Sequence, residues 1–402
     1  MELSSKKDYF VVEFFVAFLV VFGVVMFLPM FPNLQETFGV TVSKIAWLPN
    51  IGYLTMILFS PLVGKVIKKI GAKKLLLFCL FLWVAGICIE LLAIKILSYG
   101  LFVFGRFIEG IGEATFFPIL LSINKAVMKE EKDSKIGASL IETGSAIGGL
   151  IAAILAGYFL NSPQVFLLIP IALGVMVWIF VLLKIKEVVL EEREDLVTTG
   201  AGESKKAYIS LLFMIFGTQM VFASSQVFLA YYMEIFAAVN RTGFLISLEQ
   251  ILIAVGTIVP VILLKRLSFI NIRNILLVVF LLGSVLLAMQ ISFGISVISL
   301  LIITLFVGIG FTTLNIYLSR AVVSNASQKM SLYTSVRFAA GFFLSFTWGK
   351  FIEVYRNLGH SYSETFYVLY LITASLAVVI FFIVYLLQKE DLSFWKSRDL
   401  TN

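Results

Sequence analysis

The distribution of basic residues between apolar segments constrains this chain more than any other feature of its sequence. Twelve apolar segments alternate with short loops, and most of the 31 Lys and Arg residues lie in every second loop. Each segment of about 20 residues is long enough to cross a hydrocarbon core about 30 Å thick. The predicted spans are 10–31, 43–64, 74–96, 99–124, 136–160, 164–184, 207–233, 242–264, 274–294, 296–319, 330–352 and 364–387.

The basic loops also predict orientation. Cytoplasmic loops of membrane proteins are enriched in Lys and Arg, so the pattern places both termini in the cytoplasm of a multi-pass cell-membrane protein. A hydrophobic content of 60%, a charged content of 14% and a mean hydropathy of +1.03 describe a chain surrounded mostly by lipid. The net charge of +7 is juxtamembrane, and no loop is long enough for a nucleic-acid-binding domain.

Several chemistries are not expected from the residues present. The single histidine, His360, lies in a predicted external loop, and the two cysteines, Cys79 and Cys88, lie along one span, so neither a metal site nor a disulfide is expected. The chain has no Gly-x-x-x-x-Gly-Lys-Ser/Thr loop, which argues against direct use of ATP. We therefore expect no cofactor and no metal.

The chain is predicted to have two related halves. The longest interior polar stretch lies between spans 6 and 7 and is typical of a flexible linker. Gly110-Ile111-Gly112 in span 4 recurs as Gly308-Ile309-Gly310 in span 10, and Pro61 in span 2 has a counterpart in Pro260 of span 8. Both repeats have almost the same offset, which indicates two parallel six-span halves. The predicted domains are an N-terminal bundle 1–185, a linker 186–206, a C-terminal bundle 207–388 and a cytoplasmic tail 389–402.

Three motifs resemble those of the major facilitator superfamily, and most closely its twelve-span drug/proton antiporters. The loop between spans 2 and 3 is similar to the family's signature loop, although a lysine replaces the usual aspartate. Span 4 carries Arg106-Phe107-Ile108-Glu109-Gly110-Ile111-Gly112, similar to Arg-x-x-Gln-Gly-x-Gly, and span 5 carries a motif similar to Gly-Pro-x-x-Gly-Gly with Ser145 at the proline position. The resemblance implies an all-α membrane protein with twelve transmembrane helices in two pseudo-symmetric six-helix bundles. It also implies gating roles for Gly64, Lys68, Lys69, Gly71, Lys73, Gly144, Gly148 and Gly149.

Charged residues inside the spans are the candidates for chemistry, because burying them in a bilayer costs about 2.5 to 3.5 kcal/mol each. Arg106, Glu109 and Glu113 are spaced by three and four residues, which puts them on one stripe of span 4. Burial favours a neutral carboxyl and a nearby arginine favours the carboxylate, so this stripe is predicted to exchange protons. The alternative is an ion pair that only lowers the cost of insertion.

Other polar residues within the spans are weaker candidates. Glu142 in span 5 is assigned to proton coupling, with a snorkelling acid as the alternative. Arg337 in span 11 is assigned to a conformational lock that bonds carbonyls. Glu249 is a further candidate, whereas Glu90 is interpreted as an interfacial acid and Glu13 as a solvated acid at the mouth of span 1.

The resemblance implies a substrate cavity lined by spans 1, 4, 7 and 10, with few fixed charges beyond span 4. Such a lining suits amphipathic or cationic compounds better than phosphates. The candidate substrate-binding residues are Gln219, Gln226, Thr313, Asn315 and Tyr317.

We therefore interpret the chain as a secondary transporter, and not an enzyme, that expels small hydrophobic or cationic compounds by proton antiport as a monomer. A proton symporter that imports a sugar or another small metabolite is the alternative. A membrane enzyme would need convergent nucleophile and base groups, and a non-transporting scaffold is the remaining class. The sequence does not identify the substrate, the proton stoichiometry or the direction of transport.

Overall fold

The computed structural model describes residues 6–128, 131–187, 204–264, 266–321 and 326–389. Every regular element in these ranges is helical, and twelve of the helices are 20 to 32 residues long. They are α1 Lys6–Val25, α2 Trp47–Ile70, α3 Ala72–Lys95, α4 Tyr99–Val127, α5 Glu131–Tyr158, α6 Pro163–Lys184, α7 Lys205–Gln226, α8 Thr242–Leu263, α9 Phe269–Met289, α10 Phe293–Ala321, α11 Ala326–Asn357 and α12 Tyr362–Lys389.

Each predicted span overlaps one of these helices, and the predicted all-α class is confirmed for the described residues. Ten helical segments among them are long and apolar enough to cross a membrane. The two long helices outside this set are α4, which carries Arg106, Glu109 and Glu113, and α11, which carries Arg337. Arg106, Glu109 and Glu113 are buried and Arg337 is half-buried, whereas Lys350 and Arg356 near the end of α11 are exposed.

Two predicted spans are interrupted near their ends. Span 1 was predicted as one helix over 10–31, and this is wrong, because α1 ends at Val25 and is followed by a 3₁₀ turn, Leu28–Met30, and a helix, Phe31–Phe38. Pro29 and Pro32 explain the break, since proline has no N–H and favours the first turn of a new helix. α7 is likewise followed by a separate short helix, Leu229–Glu234.

The remaining short helices lie in connections. Val42–Ile45 precedes α2 and is capped at Thr41, whose hydroxyl accepts a hydrogen bond from the Lys44 N–H. The 3₁₀ turn Val239–Arg241 precedes α8.

The chain divides into two compact units. The first comprises Met1–Arg193 together with Asn240–Ser247, and the second comprises Glu194–Val239 together with Leu248–Asn402. The first unit therefore contains α1 to α6 and the first turns of α8. The domain boundaries drawn from the sequence stay a prediction, because linker residues 188–203 and residues 390–402 lie outside the described ranges.

Glycines set the close approach of α4 to its neighbours in the first unit. A Cβ on Gly86 of α3 would lie 2.5 Å from the backbone nitrogen of Glu109, and one on Gly112 would lie 2.6 Å from the Cys79 carbonyl oxygen. Such contacts leave no room for any larger side chain. The backbones of α3 and α4 are therefore held together around the charged stripe.

The second unit repeats one feature of this packing. Gly110 of α4 lies against α2, where an added Cβ would be 3.3 Å from the Cα of Gly52. Its sequence counterpart Gly308 of α10 lies against α8, 3.1 Å from the Cα of Gly256 by the same measure. Helices 2 and 4 and helices 8 and 10 thus each meet at a pair of glycines, of which Gly110 and Gly308 correspond in the sequence repeat.

Candidate functional site

The predicted stripe on α4 lies at the centre of a buried charged cluster. Arg106 is 2% exposed, and its Nη1 donates to Glu109 Oε2 on the same helix. The guanidinium also reaches two backbone carbonyls, with Nε 3.3 Å from the oxygen of Leu48 and Nη1 3.5 Å from that of Gly23. Its Cζ lies 5.3 Å from the centre of the Phe27 ring, which adds a cation–π contact.

A third acid joins this cluster from a neighbouring helix. Glu90 of α3 is completely buried, and its Oε1 lies 3.9 Å from Arg106 Nη1. The interpretation of Glu90 as an interfacial acid is therefore wrong. Gly105 explains its position, because an added Cβ there would lie 2.7 Å from Glu90 Cγ, so only glycine lets α4 pack over this side chain.

Glycines on α1 and α2 close the cluster. A Cβ on Gly23 of α1 would contact Glu113 Oε1, and would lie 2.7 Å from Glu109 Oε1 and 3.2 Å from Trp83 Nε1. A Cβ on Gly52 of α2 would be 3.7 Å from Glu113 Oε2. The carboxyls of Glu109 and Glu113 therefore abut the backbone of α1.

The cluster has more carboxyls than cations. Glu90, Glu109 and Glu113 are all at most 1% exposed, and Arg106 is the cation that acts on them. Glu109 faces both other acids. Both oxygens of Glu90, both of Glu113 and Oε1 of Glu109 make no well-aligned hydrogen bond within the described residues. Three ionised carboxylates would leave a net charge of −2 in an apolar interior, so the arrangement is suited to holding up to two protons.

Glu142, the other acid assigned to proton coupling, is not part of this cluster. It is half-buried on α5, and it is not among the groups that act on Glu90, Glu109 or Glu113. The glycines next to it pack on α1, with Gly144 against the Phe14 carbonyl and Gly148 against the Phe18 carbonyl, while Gly149 is also buried. The span 5 motif therefore makes close helix contacts within the first unit.

The loop between α2 and α3 is held by the end of α6. Gly71 has a φ of +89°, and an added Cβ would lie 2.5 Å from Cδ of Glu187. The Lys73 N–H donates to Glu187 Oε1 at 3.1 Å, and Lys73 Nζ donates to the Leu182 carbonyl at 2.9 Å. Glu187 thus places a carboxylate at the N-terminus of α3, where the helix dipole favours negative charge.

Three further residues assigned to gating belong to α2. Gly64 is half-buried and Lys69 is exposed, whereas the side chain of Lys68 lies outside the described residues. Glu187 was not a candidate in the sequence, because nothing in its local pattern connects it with a loop more than a hundred residues earlier.

A different acid lies in the second unit. Glu249 of α8 is completely buried, and its Oε1 accepts a hydrogen bond from Thr304 of α10 at 3.3 Å. Gln226 of α7 also acts on this carboxyl, and its Oε1 lies 3.5 Å from Nε2 of Gln250. Tyr370 of α12 is a further neighbour. Glu249 and Gln226 were predicted as separate candidates from the sequence, and the fold brings them together.

Arg337 contacts side chains of two neighbouring helices, and its predicted bonds to carbonyls stay a prediction. Its Nε donates to Gln219 Oε1 at 3.1 Å, and its Cζ lies 3.8 Å from the centre of the Phe311 ring. Gln219 is 3% exposed. This arginine therefore connects α11 with α7 and α10.

The remaining candidate substrate residues of α10 have mixed surroundings. Thr313 is buried and Asn315 is half-buried. The ring of Tyr317 packs on Phe269 of α9 with centroids 4.4 Å apart, which is a packing contact within the second unit.

Glu13 is a buried acid, although the sequence led to its interpretation as a solvated acid at the mouth of span 1. It is completely buried on α1, so the expectation of easy solvation is wrong. Its carboxyl lies beside Asn124 of α4, and an added Cβ on Gly137 of α5 would lie 2.5 Å from Glu13 Oε2. Its position about two turns from the start of α1 gave no sign that α4 and α5 cover it.

The sequence matches the model of the Major Facilitator Superfamily over residues 14–345. Two proteins of Bacillus subtilis (strain 168) are similar in sequence. The bacillibactin exporter is 27% identical over 146 residues, which cover 34% of this chain and 36% of that protein. Multidrug resistance protein 2 is 22% identical over 204 residues, which cover 48% of each chain. The matches thus span less than half the length of these curated relatives.

Solved structures share the fold over nearly the whole chain. The nucleoside transporter NupG has a TM-score of 0.72 at 18% identity, with 96% of this chain and 99% of that chain covered. A bacterial homologue of the human lysosomal transporter Spinster, in an inward-facing and occupied conformation, has a TM-score of 0.71 at 14% identity, with 99% and 100% covered. At these identities the likeness concerns the fold alone.

Proposed function

The chain belongs to the major facilitator superfamily of membrane transporters, and we propose that it exports small hydrophobic or cationic compounds in exchange for protons by alternating access. It is a transporter and not an enzyme. The observation that carries the proton part of the proposal is the cluster of Glu90, Glu109, Glu113 and Arg106, in which three buried carboxyls share one guanidinium. Ion exchange through such a group is a standard use of ionisable residues inside membrane proteins.

Protons are the ligands that fit this cluster. Arg106 compensates one carboxylate, and two protons neutralise the other two acids, so the fully loaded cluster has no net charge. Loss of those protons leaves two surplus carboxylates against the backbone of α1 at Gly23, with the neutral Trp83 indole N–H beside Glu113 as a donor. The deprotonated cluster therefore favours a rearrangement that admits water or returns a proton.

Export is favoured over import by the names of the similar proteins. Both curated relatives are named for export or drug resistance. The span 5 glycines that resemble the antiporter motif pack α5 directly on α1, the helix that closes the cluster. Proton occupancy and the position of α5 are thereby linked through α1.

The same proposal covers the location of the protein and the side chains that take part in transport. The protein works as a monomer in the cell membrane with both termini in the cytoplasm, and Glu142 and Arg337 take part in coupling and gating. Gln219, Gln226, Thr313, Asn315 and Tyr317 contact the transported compound.

Everted membrane vesicles test the proposal. Vesicles loaded with a pH-sensitive dye and made acidic inside are given cationic dyes, neutral drugs or sugars, and proton release is followed. We expect release on addition of hydrophobic or cationic compounds, reduced at least about tenfold by Glu113→Gln and by Glu109→Gln. Glu36→Gln, which alters an exposed acid on the short helix Phe31–Phe38, is the matched control and leaves release unchanged.

Two results would contradict the proposal. Proton movement in the same direction as a sugar would identify a symporter. Unchanged release in both cluster variants would remove the α4 acids from the coupling step.

A further inference from the structure

The acid of the second unit differs from the first cluster in having no cation of its own. The groups that act on the Glu249 carboxyl are the hydroxyl of Thr304 and the amide of Gln226, and its Oε2 makes no well-aligned hydrogen bond. No basic side chain within the described ranges pairs with it. The buried basic residue Arg273 is directed elsewhere, since it bonds Gln388 and Asn274.

A fully buried carboxylate without a partner is unfavourable, so Glu249 must take its positive charge from outside the protein. When no cation is bound, a proton neutralises the carboxylate, and the side chain is a neutral acid. When a cation arrives, the proton can leave and the carboxylate can pair with the new charge. The Glu249 carboxyl is therefore suited to be an exchange site for one positive charge.

The surroundings of Glu249 indicate which kind of cation fits. Tyr370 connects the carboxyl to a group of buried rings, with ring centres 5.4 Å from Trp348 and 5.3 Å from Tyr232. We call this group the ring cluster; it comprises Phe228, Tyr231, Tyr232, Trp348, Phe366 and Tyr370. Aromatic faces next to a carboxylate favour cations with apolar bodies over small hydrated ions.

We propose that Glu249, with Gln226 and Thr304, binds the positively charged group of the transported compound, and that Tyr370 and the ring cluster select an aromatic or alkyl body. The site is formed by α7, α8, α10 and α12 of the second unit. The inference rests on the proposed function in taking organic compounds as cargo, and it adds that cation selectivity resides at Glu249 and not at the α4 cluster.

The titratable groups near the site are few. Among the helices packed around Glu249 in the described chain, α12 contributes Tyr370, and the short helix Leu229–Glu234 contributes Tyr232, whose ring faces Tyr370. α7 and α10 contribute the neutral Gln226 and Thr304. A change of protonation on cation binding therefore belongs to Glu249.

Three probes of related shape separate charge from size. Tetraphenylphosphonium is a cation, tetraphenylborate is its anionic counterpart, and triphenylphosphine oxide is a neutral compound with the same kind of rings. Their binding to the purified full chain in detergent is measured by equilibrium dialysis, and proton release on binding is measured in weakly buffered solution. We expect the wild-type protein to bind the cation at least about tenfold more tightly than the neutral probe, with release of close to one proton.

Variants then assign the charge preference. Glu249→Gln is expected to remove the proton release and to weaken cation binding about tenfold or more, while neutral-probe binding stays unchanged and reports that the protein is folded. Glu249→Asp keeps a carboxylate and is expected to retain most of the preference. Should the Gln variant fail to fold, the wild-type protein carries the test: release of a proton on binding requires tetraphenylphosphonium to bind more tightly as pH rises while triphenylphosphine oxide binding does not change, and an equal pH dependence of both probes would overturn the inference.

The outcomes distinguish this inference from the proposed function. Glu113→Gln is expected to abolish proton-coupled transport while the charge preference in detergent remains. Cation binding that is unchanged in Glu249→Gln would overturn the inference and leave the coupling proposal intact. Loss of proton-coupled transport in Glu249→Gln with an unaltered charge preference would also overturn it, because Glu249 would then be a second coupling acid.

Discussion

The first unit and the second unit each bury acid beside their fourth helix, and they balance it differently. In the first unit Arg106 of α4 reaches the Leu48 carbonyl of α2 and pairs with Glu109 and Glu90. In the second unit the residue at the corresponding position of α10 is Thr304, which bonds Glu249 of α8. Arginine at this position gives the first cluster an internal cation, whereas threonine leaves Glu249 without one, and α10 carries Val307 and Phe311 where α4 carries Glu109 and Glu113.

In the proposed mechanism the same architecture therefore serves two ligands, protons in the first unit and a larger cation in the second. A fixed guanidinium keeps one carboxylate charged, so the surplus acids are left for protons, which are small enough to enter a closed interior. An acid without a fixed cation is free to pair with a larger charged group. Four changes, from the largest expected effect to the smallest, test the contrast.

Removal of the fixed cation is expected to have the largest effect. Arg106→Gln leaves three buried carboxyls without a partner, and loss of one member of a buried ion pair costs about 3–5 kcal/mol. We expect a loss of folded protein and of transport of about 100-fold or more. The measurements are thermal unfolding in detergent and vesicle transport.

Arg266→Gln, at an exposed position, is the control and should behave as wild type. The double variant Arg106→Gln with Glu109→Gln should recover part of the lost stability, because it removes the acid that the arginine compensates. A stable single variant would show that the cluster does not depend on its internal cation.

The second change is at Gly23, the α1 glycine that lies against the charged cluster. Gly23→Ala places a Cβ against the carboxyls of Glu109 and Glu113, and overpacking of this kind costs about 1–3 kcal/mol. We expect vesicle transport to fall by about tenfold or more, with the protein still folded. Gly100→Ala is the matched control, since nothing lies within 4 Å of its added Cβ, and equal effects of the two variants would argue against a role for the α1 contact.

The third change places the arginine of the first unit at the corresponding position of the second. Thr304→Arg supplies Glu249 with an internal cation, so tetraphenylphosphonium binding should weaken about tenfold while triphenylphosphine oxide binding is retained. Thr304→Met, of similar length but without charge, is the control for crowding in this buried position. Equal weakening by both variants would show that space, and not charge, limits cation binding.

The smallest effect is expected at the loop held by Glu187. Glu187→Gln keeps the hydrogen bond to the Lys73 N–H and removes the negative charge from the N-terminus of α3, so a change in transport rate of about twofold is expected. Gly71→Ala should be more harmful than Gly39→Ala, because both glycines have positive φ but only Gly71 lies against another side chain. A comparable loss in both glycine variants would reduce the role of Gly71 to its backbone conformation.

Sequence patterns predicted the helices and the stripe on α4, because hydropathy and helical spacing act within one segment. They did not predict Glu90 or Glu187, since the rotation of α3 and the reach of α6 depend on contacts between distant segments. Glu13 shows the same limit, because depth along α1 said nothing about the cover provided by Asn124 and Gly137. Pro29 indicates a helix break in the sequence, but the continuous apolar character of span 1 led to the prediction of one unbroken helix.

The surplus of two acids over one arginine in the first unit has an electrical consequence. A cycle that returns the two protons of this cluster for a neutral compound transfers two net elementary charges, and a singly charged compound that also exchanges with one proton at Glu249 again transfers two. Each charge is worth about 2.3 kcal/mol per 100 mV of membrane potential. Neutral and cationic cargo would thus be driven equally by voltage, and Glu249→Gln, which removes the exchanged proton, would lower the charge moved with cationic cargo to one, a change that transport currents in planar bilayers would detect.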